Sequence, residues 1–448
     1  MPPKIQPRLP KGMRDFLPQT MIKRDYVFGI VRDVFHLYGF EPIQTPVLEL
    51  YETLMGKYGE DAEKLIFMAQ HPGGKEELAL RYDLTVPLAR YVAMNQNDLT
   101  MPFKRYQLAP VWRAERPQRG RYREFYQCDA DIVGVAGMNG DAEIVSLIVT
   151  ALRRLGFDKF TVKINHRQLL TAIGLYAGLE GEPLANLYRS IDKFDKIGAE
   201  GVEKEMVERG LPKEVVSNVM GLILSEGAGL EKLENVAKVL LAQPNDSTEA
   251  SYKAIAELRQ LASYLQTYGV NPENYDIDFT MVRGLGYYTG PIFETVITEP
   301  NLGSVTGGGR YDDLVGLFRG ESLPTTGTSL GIERIIDLMD VLNLYPSDMS
   351  GTVIEVFVTV FDEASRVESM RLLSELRQAG IRTDIYLQDK NLGKQFALAD
   401  KKGIPLVVIL GPEEIANGNV KIKRLSDGQE VMIERAQLVE QVKAQITR

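Results

Sequence analysis

The 448-residue sequence has one cysteine, Cys128. That excludes an intrachain disulfide and a cysteine-built metal site. Histidine is nearly as scarce, with three copies, His36, His71 and His166. His36 falls on the polar side of an expected helix, His71 in a Pro-Gly-Gly turn, and His166 at the end of an expected strand. No spacing among them suits a zinc site or a Ser-His-Asp triad, so no tightly bound metal is expected. No apolar run reaches membrane-spanning length, and the N-terminal MPPKIQPRLPKGMRDFLP lacks an apolar signal core. A cytoplasmic location without membrane contact is the expectation. Positive charge is short as well: 52 Lys and Arg stand against 61 Asp and Glu, a net charge of −9. This excludes binding of nucleic acid by bulk attraction but leaves room for a local patch. From Gly351 onward 14 acidic residues balance 14 basic ones, so the acidic excess lies in the first 350 residues.

What is there is enough chain for two or three domains with a large core. Ile22, Tyr26, Ile30, Val34 and Tyr38 recur every four positions, which predicts an amphipathic helix over Gln19–Tyr38. EPIQTPVLE follows as a short proline-interrupted strand. Lys64–Gln70 and Leu78–Thr85 read as a hairpin around HPGGKE. On its second strand Arg81, Asp83 and Thr85 would share one face, either as a site wall or as a solvent-facing surface. A helix over about Asp141–Leu155 and the strand TVKINH come next. From about Arg167 to Tyr268 the pattern is helical throughout, with breaks at Gly210–Pro212 and Gln243–Ser247, and carries no chemical motif. A composition break falls near Tyr345–Gly351. Beyond it, apolar strands alternate with helices, as in a small α/β domain with a largely buried sheet.

The stretch Tyr106–Gly134, YQLAPVWRAERPQRGRYREFYQCDADIVG, holds the densest chemistry. It reads as two strands joined by a basic loop, Arg116–Arg121. Arg113 and Glu115 leave one face of the first strand; Arg123, Phe125, Gln127, Asp129 and Asp131 share a face of the second. Brought together, they would offer arginines for phosphate, a ring for a base, and carboxylates for a small cation. A solvated hairpin with scattered ion pairs is the plain alternative. Three glycine-rich segments follow: DFTMVRGLGYYTGPIFETVI, GSVTGGGRYDDLVGLF and TGTSLGIERIIDLMD. The second is neither a Walker A loop, since no Gly-Lys-Ser/Thr follows, nor a dinucleotide fingerprint. Each has an arginine nearby, which suggests backbone cleared around a bulky anion.

Together these segments resemble the class II aminoacyl-tRNA synthetases, and within them the histidyl-tRNA synthetases. The first family motif is similar to Tyr26–Leu50, the second to the basic hairpin, and the third to GTSLGIERI. RGLGYYTG (Arg283–Gly290) and GGGRYDDL (Gly307–Leu314) are similar to the two histidyl signatures. The resemblance covers nearly the whole chain. It implies an α+β catalytic domain on a mainly antiparallel sheet over residues 1–340, with a helical insertion over about 168–272. An α/β anticodon-binding domain over 351–448 completes the implied fold.

The implied reaction is ATP-dependent activation of L-histidine to histidyl-adenylate, then transfer to the 3′ end of tRNA(His). ATP arrives with Mg²⁺ as substrate, and a homodimer is implied. Arg113 and Arg283 would act at the α-phosphate, and Arg121 or Arg123 with Arg334 would hold the outer phosphates. Glu115 would accept from the adenine amino group while Phe125 stacks on the ring. Asp83, Leu84, Thr85 and Gln127 would surround the histidine α-amino end, and Asp131, Tyr287 and Tyr288 the imidazole. Gly286 stands where the family often has aspartate, and Asp83 and Asp131 replace longer glutamates of some members. The alternative is a non-catalytic paralogue, serving as a regulatory subunit in histidine biosynthesis or as a tRNA-sensing protein.

Overall fold

The computed structural model describes residues 6–58, 63–118, 120–242, 248–282, 286–388 and 391–446. Two compact units divide the chain: Met1–Arg14 with Val27–Leu344, and Asp15–Tyr26 with Tyr345–Arg448. The division falls inside the first helix, Pro18–Leu37.

The first unit is built on a sheet that includes two neighbouring ten-residue strands. Its strands are β1 (Glu41–Pro42), β2 (Leu48–Leu50), β3 (Met68–Ala69), β4 (Leu78–Leu80), β5 (Phe103–Trp112), β6 (Glu124–Val133), β7 (Thr161–His166), β8 (Tyr275–Ile277), β9 (Pro291–Val296), β10 (Thr306–Arg310) and β11 (Thr325–Leu330). Among the described residues eight strands join in the order β1-β5-β6-β11-β10-β9-β7-β8. All of its pairings are antiparallel except β1 with β5 and β7 with β8. β2, β4 and β3 form a separate three-stranded sheet.

β6 changes character along its length. Its first four residues are half-buried and its last six fully buried. The strand thus runs from the loop tip into the core, carrying polar side chains with it. The register sets Arg105 opposite Asp131 on one side, and Ser329 and Gly327 opposite Asp129 and Asp131 on the other. Glycine is needed at two crossings. A Cβ on Gly327 would collide with Asp131 Oδ1, and one on Gly308 would collide with the Gly327 carbonyl. Side-chain-free backbone there makes room for a carboxylate on the sheet floor.

Helix Met138–Arg154 covers the sheet with Ile144, Leu147, Ile148, Ala151 and Leu152, an i, i+3, i+4 stripe, and ends on Arg153 and Arg154, whose charge suits a helix C-terminus. Between β7 and β8 lie helices Arg167–Tyr176, Gly181–Ile191, Phe194–Glu208, Lys213–Ile223, Leu230–Leu240 and Thr248–Thr267. One break in this region falls at Gly210, where φ is +91°; the expected break at Gln243–Ser247 lies outside the described residues. His166 joins this region to the sheet. Its Nδ1 accepts from Gln168 N, so Nε2 carries the proton and donates to Glu257 at 2.7 Å.

Local expectations needed correction where prolines and turns intervene. EPIQTPVLE forms two strands, β1 and β2, because Pro42 and Pro46 cannot donate to a continuous ladder. The strand expected to reach Thr85 stops at Leu80, and Thr85 instead opens helix Thr85–Met94.

The second unit carries β12 (Val356–Val358), β13 (Thr383–Ile385), β14 (Leu406–Ile409), β15 (Asn419–Arg424) and β16 (Glu430–Glu434), ordered β13-β12-β14-β15-β16. β12 runs parallel to β13 and β14, and β14-β15-β16 are antiparallel. Val356, Val358, Leu372, Leu376, Val408 and Val442 form one of its cores. The last helix is Leu438–Ile446, reached from β16 through a 3-10 turn at Arg435–Gln437.

Candidate active site

A cavity of about 990 Å³ opens over β6, β10 and β11. Its floor is the polar face of β6, with Gln127, Asp129 and Asp131 in alternate positions. Phe125 continues that face toward the loop, where Glu115, Arg121 and Tyr122 stand. Arg334 enters from helix Ile332–Leu342, and Tyr287 and Tyr288 from the segment before β9.

Arg113 is held rather than loose. Its Nε donates to the Tyr82 carbonyl at 3.1 Å, and its guanidinium carbon lies 4.4 Å from the Tyr82 ring centre and 5.2 Å from that of Phe125. A cation stacked on two rings has its planar face covered and its remaining N–H groups directed outward in the plane. Arg334 Nη1 donates to the Ser304 carbonyl at 2.6 Å. Arg121 Nη1 lies 3.3 Å from Glu115 Oε2, a half-exposed pair of modest strength.

The cavity also holds buried carboxylates. Asp83 Oδ1 accepts from Tyr58 Oη at 2.9 Å and from Val86 N at 3.1 Å. Burial raises the pKa of Asp83 in spite of those donors. Burial lifts Asp129 to about 7, with Asp131 adding to the effect and Arg105 opposing it. Asp131 is also raised by burial, although Arg105 Nη2 sits 2.7 Å from its Oδ2 and Tyr311 Oη hydrogen bonds to Oδ1. Tyr287 stacks near Tyr288 and Tyr311, with ring centres 4.9 and 5.8 Å away. Tyr311 is pushed well above the usual tyrosine range by burial and by Asp131, so it is a neutral donor here.

Arg113, Glu115, Arg121, Phe125, Arg334, Asp83, Thr85, Gln127, Asp131, Tyr287 and Tyr288 all line this one cavity. Leu84 does not: its apolar side chain is fully buried with Ala109 and Val111. Arg123 is absent from the lining as well. Its Nε donates to the Glu115 carbonyl at 3.0 Å and its backbone N to the Gly12 carbonyl at 2.9 Å, so it braces the loop against the N-terminal segment. Arg81 is buried, donating to the carbonyls of Pro110 at 2.8 Å and Thr45 at 3.0 Å, and is no part of a site wall with Asp83. Nor does Arg310 serve an anion in the cavity: it closes on Asp141 and on the carbonyls of Val135 and Gly137. Arg283 lies outside the described residues, as does Arg119 of the basic loop.

Residues without an assigned role also reach the cavity. Tyr58, Tyr82, Tyr311, Ser329, Glu294, Arg189 and Asp192 line it, the last pair from within or just after helix Gly181–Ile191. Tyr311 had a detectable signal, since it alternates with Arg310 at the end of β10. Arg189 and Asp192 had none, because their approach depends on how the helical region folds back.

A family model described as histidyl-tRNA synthetase matches residues 12–335, and an anticodon-binding-domain model matches residues 355–445. The chain is 41% identical to the histidine--tRNA ligase of Bacteroides fragilis (strain YCH46), over 97% of this chain and 98% of that protein. It is 43% identical to the histidine--tRNA ligase of Aeropyrum pernix, over 98% of each. The crystal structure of histidyl-tRNA synthetase from Nostoc sp. PCC 7120 superposes with a TM-score of 0.86 at 31% identity, covering 99% of this chain and 100% of that one.

Proposed function

Because the chain belongs to the histidyl-tRNA synthetase family, we propose that this cavity joins ATP to L-histidine and that the histidyl group then passes to the 3′ end of tRNA(His). The activity is that of an aminoacyl-tRNA ligase. One observation carries the site assignment: a stacked arginine and a cluster of buried carboxylates line one cavity. A nucleotide and an ammonium-bearing amino acid need those two environments side by side.

The chemistry calls for no side-chain nucleophile. The histidine carboxylate attacks the α-phosphate, the bond to the bridging oxygen breaks, and pyrophosphate leaves with Mg²⁺. Catalysis is alignment plus compensation of charge on the phosphoryl oxygens. Arg113 serves this because its plane is fixed by Tyr82 and Phe125 and needs no reorganisation. Arg283 is proposed for the same phosphate from the histidyl signature. Arg334 and Arg121 hold the outer phosphates; Arg121 leaves Glu115 when nucleotide arrives, freeing that carboxylate for the adenine amino group. Phe125 meets the ring. Asp83, Thr85 and Gln127 accept from the α-ammonium, and all are acceptors of the right kind. Asp131, Tyr287 and Tyr288 address the imidazole. Leucine or phenylalanine would leave those buried polar groups unpaired, and specificity follows from that cost.

The second unit carries the anticodon-binding role, and the basic loop meets the acceptor end. We assign a cytosolic homodimer on family grounds; Leu48, Leu50 and Met68, 44, 39 and 55% exposed on the small sheet, are suited to covering by a second copy. Among the described residues no helix is long and apolar enough to cross a membrane. The non-catalytic alternative is not favoured, since the relatives are ligases along nearly their full length. The test is ATP–pyrophosphate exchange with each standard amino acid in turn. Exchange with histidine alone is expected. Exchange with another amino acid would overturn the pocket assignment, and none at all would overturn the enzyme.

A further inference from the structure

We propose that Tyr58 is a positioning residue with two attachments: its hydroxyl fixes the Asp83 carboxylate that receives histidine, and its ring backs the stack that fixes Arg113. The inference rests on the reading that Asp83 accepts from the substrate α-ammonium and that Arg113 acts at the α-phosphate. Tyr58 itself has no role in that reading; it comes from the segment between helix Tyr51–Leu54 and β3.

An aspartate carboxylate turns about its last torsion at little cost, so its hydrogen bonds decide which oxygen a ligand meets. Tyr58 Oη donates to Asp83 Oδ1 at 2.9 Å, and Val86 N donates to the same oxygen at 3.1 Å. Val86 N belongs to the first turn of helix Thr85–Met94, where a backbone N–H has no acceptor within the helix. One carboxylate oxygen is thus committed to the scaffold by two donors. The other, Oδ2, is buried and has no protein partner among the described residues. Asp83 lines the cavity, so Oδ2 is the oxygen left for an ammonium. Tyr58 is a dependable donor in this contact, because burial and Asp83 push its hydroxyl well above the usual tyrosine range.

The ring of the same residue reaches the arginine that serves the other substrate. The Tyr58 and Tyr82 ring centres are 4.8 Å apart, inclined at 47°. The Arg113 guanidinium carbon lies 4.4 Å from the Tyr82 ring centre, and Arg113 Nε donates to the Tyr82 carbonyl at 3.1 Å. The stack therefore runs Tyr58, Tyr82, Arg113, and Asp83 follows Tyr82 directly in the chain. Tyr58 is 4% exposed, so its ring cannot move without opening a void behind Tyr82. Loss of the hydroxyl alone frees the carboxylate and keeps the stack. Loss of the ring frees both.

The test is histidine-dependent pyrophosphate exchange with the full chain, for wild type, Tyr58→Phe, Tyr58→Leu, Asp83→Asn and the double variant Tyr58→Phe with Asp83→Asn. Tyr58→Phe should raise the histidine KM about five- to tenfold, with kcat and the ATP KM within about twofold. Tyr58→Leu should raise the histidine KM equally and also lower kcat about tenfold, because Arg113 loses its backing. Asp83→Asn should raise the histidine KM about tenfold or more: its carbonyl keeps Tyr58 and Val86, and its N–H groups then face the ammonium. The double variant should be no worse in KM than Asp83→Asn alone, since the hydroxyl acts through that carboxylate. Additive losses in the double variant would mean that Tyr58 acts without Asp83. If Tyr58→Phe keeps the wild-type histidine KM while Asp83→Asn is impaired, the positioning role is wrong; this variant keeps the ring and decides the matter even if Tyr58→Leu does not fold. Equal kcat values for folded Tyr58→Leu and Tyr58→Phe would remove the link to Arg113. If Asp83→Asn binds histidine normally, the ammonium assignment of Asp83 fails and the role of Tyr58 falls with it.

Discussion

Arg105 Nη2 and Asp131 Oδ2 lie 2.7 Å apart, facing each other across the β5–β6 pairing with both side chains buried. The pair places a carboxylate on the cavity floor, where burial alone would neutralise it. Replacing Arg105 by methionine would keep the volume and strand the charge. We expect a loss of about 3–5 kcal/mol in urea denaturation, the usual cost of leaving one member of a buried pair alone. A loss below about 1 kcal/mol would mean that Asp131 had already taken up a proton.

The buried carboxylates also fix how stability depends on pH. Burial raises the pKa values of Asp83, Asp129, Asp131 and Asp141. Between the ordinary aspartate range and these raised values, the folded chain holds protons that the unfolded chain has released. Their contribution is therefore full below the ordinary range and is lost as pH rises through the folded values. For Asp129 the loss runs from the ordinary aspartate range up to about 7, where it levels off. The ligand-free protein should lose stability between about pH 5 and about pH 7, by at most about 1.4 kcal/mol per pH unit for each such group. Asp129→Asn should flatten that slope. A stability that rises over the same interval would contradict the burial of these groups as acids.

Arg113 gives a sharper functional test. Arg113→Lys retains the charge but loses the planar fork and the stacking on Tyr82 and Phe125. Pyrophosphate exchange should fall by about tenfold to a hundredfold in kcat, with the histidine KM changed only a few-fold. A rise in KM with unchanged kcat would place Arg113 in ground-state binding instead.

How much of this was legible in the sequence depends on how local each arrangement is. The hairpin was readable because β5 and β6 run uninterrupted for ten residues each, so alternation puts Phe125, Gln127 and Asp131 on one face. Alternation misled after Leu80: it puts Arg81 on one face with Asp83 and Thr85, yet the chain has already turned toward helix Thr85–Met94. Pro87, acceptable in a first helical turn, was the available signal. Arg123 shares its strand parity with Phe125, but its partners are backbone carbonyls of Lys11 and Glu115. A long-range brace of that kind leaves no periodicity. The same holds for Arg310, an arginine beside glycines that serves Asp141, and for Arg189 and Asp192.

The two units offer the last prediction, because their boundary does not follow chain order. Asp15–Tyr26 clusters with Tyr345–Arg448, and within that unit the Tyr26 and Tyr345 rings lie 6.1 Å apart, with Lys23 Nζ 4.8 Å from the Tyr345 ring centre. Truncation after Leu344 therefore removes more than a C-terminal domain; it also strips the first turns of helix Pro18–Leu37 of these contacts. The cavity residues all belong to the first unit. Histidine-dependent pyrophosphate exchange should survive the truncation, within about tenfold of the full chain, whereas charging of tRNA(His) should be lost. Circular dichroism should show a small loss of helix beyond that of the removed segment, from fraying of the stripped turns. If a folded truncated chain lost exchange as completely as charging, the adenylation site would depend on the second unit, and the assignment of adenylation to the first unit and of anticodon binding to the second would be wrong.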